Sequence, residues 1–243
     1  HMIVLQQSKK WSVETRLPPF SAIISKQKVY ISYYISSIKV NYDMTKIDVI
    51  LREAKGKVLT RKDFDSLANK YGFEKDTLRR VMLNKGYLLT IFRGVYYLKS
   101  YEEKKTNTIK YSPYELLSLG LDKKGVKWYF RLHTALKFLE LTHEVFPVNI
   151  VINNKFNRTR PIKIAGSSFL FIKLNTSLFF EIKETKTNNK LLLYFSSLEK
   201  TLLDLIYLKK TIDLNEYKFN KALFLRESVK YNRIVKKRIK EML

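Results

Sequence analysis

The sequence predicts an α+β protein: a winged helix-turn-helix first, then a larger α+β domain with a mostly antiparallel sheet and terminal helices. Three observations carry that expectation. Helical spacing recurs three times between Thr45 and Lys85, and two β-rich runs follow at once, Tyr87 to Ile91 and Val95 to Leu98. Beyond Ser112, five strand-like runs lie between helical segments. The 243 residues divide accordingly into an extension at 1–43, a winged-helix domain at 44–105 and a C-terminal domain at 106–243.

In the extension, Val29, Ile31, Tyr33 and Ile35 alternate with Tyr30, Ser32, Tyr34 and Ser36, the period of a strand, and an added hairpin is expected. His1-Met2 has the form of a tag remnant, and Met44 is an alternative natural start. Lys26, Lys28 and Lys39 interrupt the most apolar early stretch, so neither a signal core nor a membrane span is expected there, and the chain reads as cytoplasmic.

Helix one is expected from Thr45, with Ile47, Val49, Ile50, Leu51 and Ala54 at helical spacing and Gly56 at its end. Thr60 is placed to cap a helix from Arg61 to Tyr71, with Asp63 three residues on completing a variant capping pair. After the Gly72 turn, Leu78, Val81 and Met82 mark the inner face of a helix from Lys75 to Lys85. Phe92, Arg93 and Gly94 then turn a hairpin. Three short helices followed by a hairpin describe a winged helix, whose third helix enters the major groove of DNA while the wing touches backbone or minor groove.

Charge points to the same partner. Lys and Arg total 47 against 22 Asp and Glu, a net charge of +25. By region the excess is +4 before Met44, +8 from Met44 to Lys110, +6 from Tyr111 to Leu208 and +7 beyond, so it is no simple tail. Such a field favours a polyanion, because neutralised phosphates release condensed counterions. The rival explanation is a lysine-rich protein that is merely soluble, so a DNA-reading element must decide. With Leu78 set inward, Arg79, Arg80, Asp76 and Asn84 fall on the outer side of the third helix, with Thr77 at its edge. Arginine pairs with guanine and asparagine with adenine, while Lys62, Lys75 and Lys85 suit phosphates and Arg93 sits at the wing tip. Leu83 also projects toward this side, to meet a thymine methyl or to pack under the wing.

Tyr101 to Lys110 is polar and reads as a linker. Ser112-Pro113-Tyr114-Glu115 opens a short helix that Gly120 closes, and Arg131 to Leu141 is helical in spacing. Strands are expected at Val145 to Ile152, Pro161 to Ala165, Phe169 to Leu174, Leu178 to Lys183 and Lys190 to Phe195. Ser196 or Ser197 then caps a helix carrying Leu198, Leu202, Leu205 and Ile206, and basic helical segments finish the chain.

Three stretches, Arg-Gly-Val-Tyr at 93–96, RLHTALKFLEL at 131–141 and SSLEKTLLDLI at 196–206, resemble the antitoxin and transcriptional-regulator family of AbiE abortive-infection systems, AbiEi. The likeness runs from about Met44 to Lys210, with His133-Thr134 before Ala135 and Glu140 where a glycine is common as departures. It implies a type IV toxin–antitoxin antitoxin that represses its own operon through promoter inverted repeats and neutralises a nucleotidyltransferase toxin, without requiring direct contact with it. It also implies a monomer or a dimer formed on double-stranded DNA, and no catalytic residue.

Two rivals stand beside this reading: a winged-helix regulator answering another signal, and a metal-dependent nuclease. The second rests on Glu181-Ile182-Lys183, the carboxylate-x-lysine form of many Mg²⁺ nucleases, which alternating surface charge also produces. His133 and His143 have no metal-ligand spacing, and the absence of cysteine excludes thiolate zinc sites and disulfides. Neither catalysis, a cofactor nor a metal is expected, and Glu199, Lys200 and Asp204 read as charges on a polar helix face.

Overall fold

The computed structural model describes residues 45–144, 146–209 and 212–242. The expected hairpin at 1–43, Met44 and Val145 lie outside the described residues. The fold class is α+β.

Helix α1 (45–54) buries Ile50, Leu51 and Ala54. Strand β1 (Lys57–Thr60) follows, then α2 (Arg61–Lys70), α3 (Lys75–Asn84), β2 (Leu88–Phe92) and β3 (Val95–Leu98). The Thr60–Asp63 capping pair forms in both directions, at 3.2 and 2.9 Å, satisfying two amides at the α2 terminus. The three strands make one antiparallel sheet in the order β1-β3-β2, with β3 in the centre. That position explains a strand with no polar face. Tyr96 approaches Phe64 of α2 at a ring separation of 6.3 Å, whereas Val95 and Tyr97 join Leu116, Leu117 and Leu121 in the main core.

Strand β1 has no counterpart in the sequence reading, and Phe92 belongs to β2 and not to the turn. The loop is the pair Arg93-Gly94, with Gly94 at φ 78° in the left-handed region that a two-residue hairpin requires.

The stretch expected to be a linker contains α4 (Tyr101–Thr106). A Ser100–Glu103 capping box starts it, and Glu103, 6% exposed, also accepts from the Tyr97 hydroxyl at 2.7 Å and the Lys110 amide at 2.6 Å. One carboxylate thus ties β3, α4 and the following segment together.

Helix α5 (Pro113–Lys123) runs past Gly120. The glycine is a contact point, since a Cβ there would lie 2.7 Å from the Phe92 ring and 2.8 Å from Ile91. Next come β4 (Trp128–Arg131), α6 (His133–Phe138), β5 (Val148–Asn153), β6 (Ile162–Ile164), β7 (Ser167–Lys173), β8 (Ile182–Lys186) and β9 (Leu192–Ser196). A 3₁₀ turn, Thr176–Leu178, stands where the fourth expected strand was to begin. The helix read at Arg131 to Leu141 is in fact strand, turn and short helix. Leu132 makes that turn at φ 56° and ψ −134°, a conformation rare for any residue with a side chain.

These strands form a mixed sheet in the order β6-β7-β5-β4-β9-β8, with three antiparallel and two parallel pairings. Phe130, Val151, Phe169, Phe171 and Phe195 build the core shared with α5 and the hairpin, and Tyr129 and Ile152 pack with Phe179 and Tyr207.

Helix α7 (Leu198–Tyr207), capped by Ser197, packs on α8 (Lys221–Ser228) and α9 (Arg233–Met242) through Leu202, Leu203, Phe224, Tyr231, Val235 and Ile239. The charges expected on its polar face are partly buried instead: Lys200 and Asp204 are fully buried, together with Arg131. Lys200 Nζ and Arg131 Nε lie 2.7 and 2.9 Å from the Asp204 carboxylate. Two cations share one anion, which dehydration makes costly. Burial pushes Lys200 down to about 8 although Asp204 opposes the shift, and its ammonium gains the Tyr231 hydroxyl at 2.8 Å and the Phe180 face at 4.6 Å. Among the described residues no helix is long and apolar enough to cross a membrane.

Candidate nucleic-acid interface

Helix α3 owes its position to its apolar side. Leu78 and Met82 are buried, and the Met82 carbonyl accepts from the Tyr87 amide at 2.9 Å, leading the chain straight into β2. Its other side is open to solvent. Thr77, Arg79, Arg80, Leu83 and Asn84, with Asp76, line a shallow groove of about 400 Å³. Arg80, Asn84 and Thr77 are exposed, and Arg79 is held back in a pair with Asp76 that leaves its side chain 20% exposed. Leu83 is half-buried in the groove wall.

The structure therefore gathers four of the eight residues expected to touch DNA: Thr77, Arg79, Arg80 and Asn84. Lys62, Lys75 and Lys85 are exposed at the start of α2 and at the two ends of α3 and do not line the groove. Arg93 is exposed at the hairpin tip but does not line the groove. That tip is tied down: the Arg61 amide donates to the Gly94 carbonyl at 2.9 Å, and Lys124 Nζ to the Arg93 carbonyl at 3.1 Å. Lys155 Nζ in turn reaches the Lys124 carbonyl at 3.2 Å. Exposed cations thus continue from Arg93 across Lys124 to Lys155, a continuation that single-element reading missed because the three lie on separate segments.

Glu74 also escaped notice. It caps α3, its carboxylate accepting from the amides of Asp76 and Thr77. The Thr77 hydrogen bond, then those amides and the Arg80 charge, hold its carboxyl down to about 2. The helix terminus that commonly binds phosphate is therefore already occupied by a carboxylate.

Glu181 precedes β8, sits at φ 48° and faces Arg226 at 3.7 Å. Among the described residues no three His, Cys, Asp or Glu side chains gather as a metal site. His143 is exposed, and His133 stacks on Phe146. No protein-family model and no curated protein matches the chain.

Proposed function

We propose that the chain is a DNA-binding regulator that reads an operator through α3 of a winged helix. The observation carrying this reading is the groove of Thr77, Arg79, Arg80 and Asn84 on a helix whose other side is anchored by Leu78 and Met82. The element order α1-β1-α2-α3-β2-β3 and the sheet order β1-β3-β2 support it, as does the net charge of +25. Arg80 and Asn84 are the base-reading side chains, Lys62, Lys75 and Lys85 the phosphate contacts. The tied hairpin tip limits Arg93 to a fixed backbone contact. A mobility shift over a salt series, on the DNA upstream of the gene and on scrambled DNA, tests this. Specific retardation weakened roughly ten- to hundredfold by Arg79→Ala/Arg80→Ala is expected. Equal binding to both DNAs, unchanged in the variant, refutes it.

By resemblance in SSLEKTLLDLI, we assign this regulator the antitoxin role in a type IV toxin–antitoxin pair, acting in the cytoplasm on a nucleotidyltransferase toxin. Co-expression with a nucleotidyltransferase from the same operon should restore growth, and Arg80→Ala should abolish repression while leaving that rescue intact. A rescue lost together with operator binding defeats the separation of roles.

A further inference from the structure

We infer that a second site, lined by other segments than the α3 groove, binds a nucleoside monophosphate. The site is a cleft of about 300 Å³ among α5, α6, the residues Glu144, Phe146 and Pro147 that precede β5, Asn149 of β5 and the β6–β7 turn. That volume is at the lower end of small-ligand sites, which run from about 300 to 1,000 Å³. None of its lining residues belongs to α3, so the proposal stands independently of the DNA reading.

The cleft combines three chemistries. The first is a flat wall: the rings of His133 and Phe146 stack at 4.0 Å and 18°, a platform that a third planar ring can extend. The second is a cation, Lys137, whose ammonium is exposed and 3.4 Å from the Tyr114 hydroxyl. The third is a set of fixed polar groups. Tyr114 donates to Asn149 Oδ1 at 2.9 Å, and Asn149, 9% exposed, donates from Nδ2 to the Ser168 carbonyl at 3.2 Å. Because these hydrogen bonds hold Tyr114 and Asn149 before any ligand arrives, little ordering remains for binding.

The wall also has a strained support. Leu132, at φ 56° and ψ −134°, turns β4 into α6 and so sets His133 at the cleft. Strain of this kind persists where the surroundings enforce it, and it gathers at ligand sites. A base on the aromatic wall, a phosphate at Lys137 and ribose hydroxyls toward Tyr114 and Asn149 use all three chemistries together, with Ser167, Ser168 and Glu144 completing the lining. Inorganic phosphate would use only one.

The test is calorimetric titration of the full chain with AMP, GMP, CMP, UMP and inorganic phosphate, repeated on Lys137→Ala and His133→Ala. The expected result is at least one nucleotide bound about tenfold or more tightly than phosphate, weakened about tenfold or more in each variant. Unchanged melting temperatures show that both variants fold. No nucleotide binding tighter than about 1 mM overturns the proposal, as does phosphate binding equally well, or either variant keeping wild-type affinity. That last outcome would locate the nucleotide on the general basic surface.

Discussion

Helices α3 and α7 are both ten residues long, and each carries cations that the sequence alone presents in much the same way. Their fates are opposite. On α3, Arg80 and Lys75 face water, and Arg79 pairs locally with Asp76. On α7, Lys200 is fully buried with Arg131 against Asp204. The first group remains available to an outside anion, while the second has an internal one. A net charge of +25 is therefore no direct measure of the surface a polyanion meets.

The sharpest way to break this contrast is to remove the internal anion. Asp204→Asn leaves two buried cations without a counter-charge and should cost about 3–5 kcal/mol in chemical denaturation. Should the loss stay below about 1 kcal/mol, the cluster would not hold the fold as argued. Lys200→Met leaves the Arg131–Asp204 pair one to one and fills similar volume, so a loss of no more than about 1.5 kcal/mol is expected. A Lys200→Met cost equal to that of Asp204→Asn would contradict the picture of a surplus cation. On the surface helix, Arg80→Ala should move stability by only about 0.5 kcal/mol in either direction while lowering operator affinity. A large stability change would mean that Arg80 is structural.

The smallest effect concerns acid. Glu74 is held down to about 2 in the folded chain, against an ordinary value of 4.5, so its cap is fully present above pH 4.5. As pH falls from 4.5 toward 2 the unfolded chain binds more protons, and this contribution to stability declines. Wild type should therefore lose stability faster than Glu74→Gln across that window. Parallel acid profiles would show that the cap adds nothing. Because Glu74 also places a negative charge at the start of α3, Glu74→Gln should tighten DNA binding slightly at neutral pH.

Much of the α3 region was legible because its signals are local. Thr60 with Asp63, Gly72 and the spacing of Leu78 and Met82 mark α2 and α3 within a residue or two. Strand β1 was not legible: Lys57–Thr60 is four residues long, shows no alternation and takes its strand character from pairing with β3. In α4, the charge of Tyr101–Thr106 concealed a capping box that was present as Ser100 and Glu103. Arg131 looked helical because it adjoins Leu132, whose positive φ no glycine announces. Lys200 and Asp204 stand four apart, the spacing of an exposed helix pair, and only the approach of Arg131 from β4 shows that they are inside. The cleft residues come from four segments, so no local pattern could have assembled them.

The joint at Glu103 has a consequence for how such a protein can be taken apart. Ile91, Phe92, Val95 and Tyr97 find much of their cover in α5 and the larger sheet, and Gly120 leaves room for Phe92. A chain cut after α4 would expose that hairpin face to water and lose the Lys110 amide from Glu103. The helices bearing the groove are therefore not a portable cassette: recombination that moved residues 50–106 to another protein would have to bring α5 with them.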